Sequence, residues 1–253
     1  MQYMFNKRQL LLKRHKYLTT LDEESQDEHC IRALGVVPMN PEVEGVKLVP
    51  NEEFARLASD EQINRSALAL EAHGIRTILA ANGEEARKTL FELLPEGAEV
   101  FLALSTTLKE LGVTEMIDNS DRYNSVRARL AKMDRATQNR EMVKMGAVPE
   151  YIVGSVHAVT EDGSVIIASN SGSQLAPYAA SAARVIWVVG AQKIVRTLED
   201  GFRRVYEYAL PLEDARLMQT LGMHSSVNKL LVVHREVLPD RTTMILVKER
   251  LGY

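Results

Sequence analysis

Short apolar runs alternate with amphipathic segments along most of the chain. The apolar runs are rich in β-branched residues and predict buried strands over residues 75–80, 98–104, 151–153, 165–167 and 185–189. Apolar side chains at helical spacing predict helices over residues 60–73, 83–94, 106–111, 122–145 and 198–221. Strands that alternate with helices of this length are typical of βαβ crossovers, so the pattern predicts an α/β fold with a mainly parallel sheet.

Two further apolar runs, 229–237 and 242–248, flank the sequence Leu238-Pro239-Asp240-Arg241. Proline and aspartate in this order are typical of a tight turn, so we expect the two runs to pair as an antiparallel hairpin. The fold class predicted from the whole pattern is a three-layer α/β sandwich. It has a mainly parallel sheet, a C-terminal β-hairpin and an N-terminal helical extension.

The charge pattern of the first thirty residues separates them from the rest. Residues 1–20 carry five basic and no acidic side chains, whereas residues 21–30 carry five acidic ones, a pattern typical of an extension. Three prolines and two glycines between residues 35 and 50 indicate a linker. We therefore predict an extension and linker over 1–50 and one α/β domain over 51–253. The extension and the long charged segment 122–145 exceed what one domain needs for coverage, which predicts a homo-oligomer.

Bulk composition excludes several classes of protein. The net charge is -3 and the isoelectric point about 6.1, so no overall basic field attracts nucleic acid. The single cysteine, Cys30, excludes an internal disulfide, a cysteine-based zinc site and a self-contained iron–sulfur centre. No apolar run has the length of a membrane span or of a signal-peptide core. We expect a cytoplasmic protein with no metal, no cofactor, and no nucleic-acid or membrane partner.

Candidate binding residues follow three of the predicted strands. Parallel strands bring their carboxyl ends to one edge of a sheet, where ligands of α/β proteins bind. Hydroxyls at a helix start and a lysine at a strand end favour an anion, although helix capping by Ser105 or Thr106 stays an open alternative. We predict a site for a small anionic metabolite from Ser105, Thr106, Thr107, Lys109, Asp162, Gly163, Ser169, Asn170, Ser171, Gly172, Gln174 and Lys193.

Three segments resemble one known family. STTLKELGV (105–113), GSVHAVTEDGSVIIASNSGSQLA (154–176) and VIWVVGAQKIV (185–195) together resemble the LUD, or lactate-utilisation, domain family over about residues 51–253. The resemblance implies a fold like that of ribose-phosphate isomerases, glucosamine-phosphate deaminases and CoA-transferases. It also implies a role in the oxidation of lactate or a related hydroxy acid, with iron–sulfur subunits as partners. This chain lacks the cysteine clusters of those partners.

Two candidate catalytic residues, Glu161 and His157, leave the activity open. Glu161-Asp162-Gly163 is similar to the Glu-Asn-Gly of CoA-transferases, whose glutamate is the nucleophile, but it is also an ordinary hairpin turn. His157 is either a general acid or base, or a structural residue of its strand. The segment also resembles that of methylthioribose-phosphate isomerases, but Val156 stands where they carry a catalytic aspartate. An isomerase or CoA-transferase acting on a sugar phosphate or acyl-CoA, and a non-catalytic subunit of a lactate-oxidising complex, remain the alternatives.

Overall fold

A six-stranded parallel sheet runs through the computed structural model, which describes residues 48–253. Every neighbouring pair of its strands is parallel. The order across the sheet is β1 (Arg76–Ala80), β10 (Thr242–Val247), β7 (Arg184–Gly190), β4 (Tyr151–Gly154), β2 (Glu99–Leu102) and β3 (Asn124–Ser125). All six carboxyl ends therefore lie on one edge. The predicted N-terminal helical extension lies outside the described residues.

A second, four-stranded sheet adjoins this edge. Its order is β8 (Ile194–Val195), β5 (Ala158–Thr160), β6 (Val165–Ser169) and β9 (Lys229–Val233). The β5–β8 pair is parallel, and the other two pairs are antiparallel. Only three residues separate β4 from β5 and β7 from β8. The second sheet therefore begins next to the carboxyl ends of β4 and β7 in the first sheet.

Helices cover both faces of the parallel sheet. The α-helices of residues 48–253 are α1 (Asp60–Ala72), α2 (Gly83–Leu93), α3 (Thr106–Glu110), α4 (Val113–Asp118), α5 (Val126–Leu130), α6 (Arg135–Ala147), α7 (Leu198–Arg204) and α8 (Leu210–Leu221). Of these, α7 packs on the second sheet. Along β7, Val185, Trp187 and Val189 pack into one apolar cluster, whereas Ile186 and Val188 pack into another on the opposite face. Burial on both faces explains the unbroken apolar run of this strand. The predicted α/β class and three-layer arrangement are confirmed.

The predicted C-terminal hairpin is wrong. The turn exists, with the Arg241 amide donating to the Leu238 carbonyl at 3.3 Å, but the two strands that it joins enter different sheets. Lys229–Val233 pairs with β6 in the second sheet, whereas Thr242–Val247 lies between β1 and β7 in the first. All six residues of β10 are buried, and a strand that is buried on both faces fits the interior of a parallel sheet.

The long helix predicted over 122–145 is divided into β3, α5 and α6. Ser125 Oγ accepts a hydrogen bond from the Ala128 amide at 3.1 Å, and Asp134 Oδ1 accepts one from the Ala136 amide at 2.9 Å. Each of these caps starts a new helix inside the charged segment. The segment 198–221 is helical, as predicted, and its interruption is a π-type turn, Val205–Ala209, just before Pro211.

The described N-terminal residues pack onto the domain. The Asn51 amide donates to the Glu207 carbonyl at 2.8 Å, and the Arg203 guanidinium lies over the Phe54 ring, 5.6 Å from its centroid. Independent folding of 51–253 stays a prediction. No helix in the described part of the chain has the length and apolar character that a membrane span requires.

Candidate functional site

A cavity of about 410 Å³ lies at the carboxyl edge of the parallel sheet. One side is formed by the residues that follow β2, β4 and β7, and the other by α8 and residues 223–228. Ten residues predicted for the site line this cavity: Ser105, Thr106, Thr107, Lys109, His157, Ser169, Asn170, Ser171, Gln174 and Lys193. The three predicted segments therefore meet around one space.

The loop 169–174 reaches the cavity by a route that the sequence did not predict. It follows β6, which belongs to the second sheet and is antiparallel to its neighbours, so the rule for parallel strand ends does not apply to it. Ser169 Oγ donates to Gln174 Oε1 at 2.9 Å and accepts from the Gly172 amide at 2.8 Å, which closes the loop on itself. Gly172 belongs to this turn but is not among the cavity-lining residues.

Glu161, Asp162 and Gly163 lie outside the cavity, which corrects their predicted grouping with it. Glu161 Oε1 accepts a hydrogen bond from Gln62 Nε2 at 2.9 Å, and its Oε2 lies 3.4 Å from Arg65 Nε. Gly163 has a φ of 87° and packs so closely on α1 that an added Cβ would lie 2.8 Å from the carbonyl carbon of Ala69. The tripeptide is the turn between β5 and β6, held against α1.

Lys193 is the most deeply buried cation of the cavity wall, with 1% of its surface exposed. It ends the short turn Ala191–Lys193 after β7, and its Nζ donates to Thr107 Oγ1 and to Ser155 Oγ, each at 3.1 Å. Within residues 48–253, no carboxylate forms an ion pair with it. Burial holds the pKa of Lys193 well below the ordinary value for a lysine. Arg204 lowers this pKa further, whereas Glu110 raises it.

His157 is half-buried beside Lys193. Its Nδ1 accepts a hydrogen bond from the Ala168 amide at 3.1 Å, so in the neutral ring the proton is on Nε2. Burial first, and then the charges of Lys193 and Arg204, lower the pKa of His157 to about 3. The ring is therefore neutral at physiological pH, and Nε2 offers a hydrogen-bond donor without a charge.

A buried arginine connects the segments that carry these two residues. The Arg204 side chain is fully buried, and its Nε donates to the Gln192 carbonyl at 3.3 Å while Nη1 donates to the His157 carbonyl. The guanidinium also lies 5.1 Å from the centroid of the Tyr208 ring. Burial lowers its pKa to about 10, so it remains a cation behind the cavity wall.

Tyr178 closes the floor of the cavity. Its ring packs edge-to-face on Trp187, with the centroids 5.5 Å apart, and Trp187 is fully buried within the strand predicted over 185–189. The hydroxyl approaches the backbone so closely that a Cβ added to Gly154 would collide with it. Arg241 fixes the backbone that carries Tyr178, because its Nη2 donates to the carbonyls of Pro177 and Tyr178 at 2.7 and 3.1 Å.

The opposite side carries polar groups that sequence reasoning missed. Arg216 makes two hydrogen bonds of 2.7 Å to Glu213, which also accepts one from the Tyr253 hydroxyl. His224 Nδ1 lies 3.0 Å from Asp214 Oδ1. Glu213 and Arg216 are three positions apart on a helix, a spacing that ordinary surface ion pairs share, so the sequence carried no specific signal for them.

The cavity wall has more basic than acidic side chains. Lys109, Lys193 and Arg216 line it, and the one carboxylate in the lining, that of Glu213, is already engaged by Arg216. Between residues 48 and 253, no cluster of three or more histidine, cysteine, aspartate or glutamate side chains has the arrangement of a metal site. The cavity thus offers hydroxyl, amide and imidazole donors together with an unpaired buried amine.

This architecture is an α/β fold with a polar cavity at the carboxyl edge of its parallel sheet, the edge at which ligands of other α/β proteins bind. The model of the LUD domain matches residues 63–246, so the chain belongs to the LUD domain family, as its motifs predicted. The crystal structure of a DUF162 family protein from Deinococcus radiodurans is similar, with 13% sequence identity and a TM-score of 0.47 over 76% of this chain and 99% of that chain. No curated protein matches the sequence significantly.

Proposed function

We propose that this LUD-family protein binds a small anionic metabolite, of the hydroxy-acid class implied by its family, in the cavity at the sheet edge. Lys193 is the principal contact for the anion. The observation that carries the proposal is the position of this amine, which lies buried in the cavity wall with two hydroxyls as its partners and, among residues 48–253, no carboxylate in an ion pair with it.

A buried ammonium without a counter-ion is unfavourable, and a bound carboxylate or phosphate relieves this cost. Arg204 disfavours the charged form of Lys193, and Glu110 favours it only by a longer-range attraction. His157 is neutral at the same pH and does not compete for the anion as a cation. An anion should therefore raise the pKa of Lys193 from its lowered value towards that of an ordinary lysine.

Binding is consequently linked to protonation. Between the pKa of Lys193 in the free protein and its higher value in the complex, each binding event takes up a proton, and affinity rises as the pH falls through this window. The cavity volume of about 410 Å³ lies in the range of small-molecule sites and exceeds the need of a three-carbon acid. Longer hydroxy acids and phosphorylated acids belong in the same test.

Calorimetric titration with lactate, phosphate and a sugar phosphate tests the proposal. Measurements in two buffers of different ionisation enthalpy report the proton uptake, and chloride at equal ionic strength is the reference. At a hundredfold excess over Kd, the anion should stabilise the fold by about 2.7 kcal/mol. Thermal melting with and without the anion measures this stabilisation. Lys193→Ala should abolish it. The control Lys88→Ala, which replaces an exposed lysine of α2, should keep it. An unchanged anion response in Lys193→Ala would disprove the proposal.

Acyl transfer through Glu161 is not proposed, because its carboxylate lies outside the cavity and is occupied by Gln62 and Arg65. Self-association and iron–sulfur partner subunits stay predictions from the sequence. Light scattering and co-purification, respectively, would test them.

A further inference from the structure

We propose that Lys193 is a nucleophile that forms a Schiff base with the carbonyl group of an α-keto acid bound in the cavity. This inference rests on the proposed anion binding and narrows its ligand class. A hydroxy acid would bind there through its carboxylate, whereas a keto acid would bind and then react.

Lys193 Nζ has two hydroxyl acceptors, a number that the two N–H groups of an uncharged amine satisfy. A neutral amine has two N–H donors and one lone pair, whereas an ammonium has three donors. Nζ makes two hydrogen bonds, to Thr107 Oγ1 and Ser155 Oγ, and Thr107 Oγ1 in turn donates to the Leu251 carbonyl at 3.2 Å. Thr107 Oγ1 also lies 3.4 Å from Ser155 Oγ, so its proton has acceptors other than Lys193 and its oxygen can accept from Nζ. In the uncharged amine, both N–H groups are then engaged and the lone pair is left for a ligand.

The surroundings of the amine favour its neutral form in the free protein. The side chain is buried, and burial lowers its pKa most, followed by the charge of Arg204. An ordinary exposed lysine is neutral in only about one molecule in a few thousand at pH 7. A depressed pKa and access to a cavity are the two properties that activate lysines for attack on carbonyl groups.

The reaction balances with groups that are present. The lone pair of Nζ attacks the carbonyl carbon, a C–N bond forms, and one amine proton passes to the carbonyl oxygen. The resulting hydroxyl takes a second proton and leaves as water, so the amine, the keto acid and one proton from solvent yield a protonated imine and water. Thr107 and Ser155 hydroxyls are in contact with Nζ and are placed to relay protons. The carboxylate of the keto acid offsets the charge of the imine.

Reductive trapping tests this step. The full-length protein is incubated at pH 7 with pyruvate and sodium cyanoborohydride, and the modified lysines are identified by mass spectrometry of peptides. Lys193 should acquire the reduced adduct faster than the exposed Lys88, because burial lowers the pKa of Lys193 and so raises the fraction of its amine that is neutral. Lactate has the same charge and nearly the same size but no carbonyl group, so it should give no adduct and should protect Lys193 from pyruvate.

Two variants separate binding from reaction. Lys193→Arg keeps a cation but has no nucleophilic amine, so it should give no adduct at residue 193. Thr107→Val keeps Lys193 and removes one of its two partners, so it should slow trapping while the protein remains folded, as checked by its melting curve. The comparison of pyruvate with lactate uses the unmodified protein. It therefore does not depend on whether the Lys193→Arg and Thr107→Val variants fold.

The outcomes distinguish this inference from the proposed function. If lactate and pyruvate both raise Tm but Lys193 is trapped no faster than Lys88, the Schiff base is disproved and anion binding stands. If neither acid raises Tm and no adduct forms, both proposals fail. Preferential trapping at Lys193 supports the Schiff base.

Discussion

The two ends of the second sheet have different surroundings, although both carry residues predicted for one site. Strands β5 and β8 lie side by side, with Val159 opposite Ile194. His157 and Lys193 precede these strands and line the cavity, whereas Glu161 follows β5 and lies against α1. The four residue steps from His157 to Glu161 correspond to about 13 Å of extended chain.

The comparison shows that proximity in sequence to a cavity residue does not place a side chain in the cavity. Glu161 is closer to His157 along the chain than Lys193 is, yet the direction of β5 carries it away. Lys193 reaches the cavity because β7 of the parallel sheet ends there. The partners of the two side chains differ as well. Glu161 has a cation and an amide donor, whereas the partners of Lys193 in the described part of the chain are two hydroxyls.

Substitution of one arginine at each end of the second sheet should give the largest difference in stability. Arg204 lies at the cavity end and Arg65 at the turn that contains Glu161. Arg204→Ala should lower the free energy of unfolding by about 3–5 kcal/mol, because it leaves a buried cavity and the carbonyls of His157 and Gln192 without their donor. Arg65→Ala, next to Glu161, should cost at most about 1 kcal/mol because the arginine is half exposed. Chemical denaturation measures both values. Similar losses in the two variants would contradict the contrast.

Acid stability sharpens the comparison at the cavity end. His157 has a pKa of about 3 in the folded protein and about 6.5 when unfolded, so the unfolded state binds more protons between these values. Stability should therefore fall as the pH is lowered from 6.5 towards 3, at about 1.4 kcal/mol per unit from this group alone. The same denaturation series on His157→Gln should show a shallower fall. Parallel curves for both proteins would be evidence against a neutral, buried His157.

Substitution of Glu161, in the turn between β5 and β6, should have a smaller effect on stability. Glu161→Gln should change stability by no more than about 1 kcal/mol, because its partner Arg65 is half exposed. Its response to lactate should equal that of the unmodified protein, and neither protein should form a hydroxylamine-sensitive adduct with short acyl-CoAs. A trapped acyl group on Glu161 would reverse the assignment of this residue to the turn.

Removal of residues 1–50 should have the smallest effect. A chain starting at Asn51 retains the contacts of Asn51 with Glu207 and of Phe54 with Arg203. We expect it to melt cooperatively, within a few degrees of the full-length protein, and to keep its anion response. Aggregation of this shorter chain would show that the domain boundary lies earlier.

Strands were easier to predict from the sequence than the sheet to which each strand belongs. Strands buried on both faces, such as β4 and β7, gave unbroken apolar runs and were predicted correctly. The turn at 238–241 was recognisable, but a local turn signal does not tell which sheet the next strand joins, and Thr242–Val247 entered the interior of the first sheet. Sheet membership depends on contacts between distant segments.

The cavity was predictable only where strand ends formed it. The segment from Ser105 to Lys109 and Lys193 follow β2 and β7, so the rule for carboxyl ends located them. Glu213, Arg216 and Tyr253 reach the cavity from a helix and from the end of the described chain, and no local pattern distinguishes them from surface residues. Their selection depends on tertiary packing.

The hydrogen bond from the Ala168 amide to His157 Nδ1 supplies a spectroscopic reporter for the cavity. A proton on Nδ1 would remove the acceptor, so the Ala168 amide should exchange with deuterium faster in acid than its neighbours in β6, beyond the change expected from pH alone. A ligand that holds the ring neutral should suppress this exchange. A single backbone amide signal in the NMR spectrum would thus follow occupancy of the cavity without a label on any ligand.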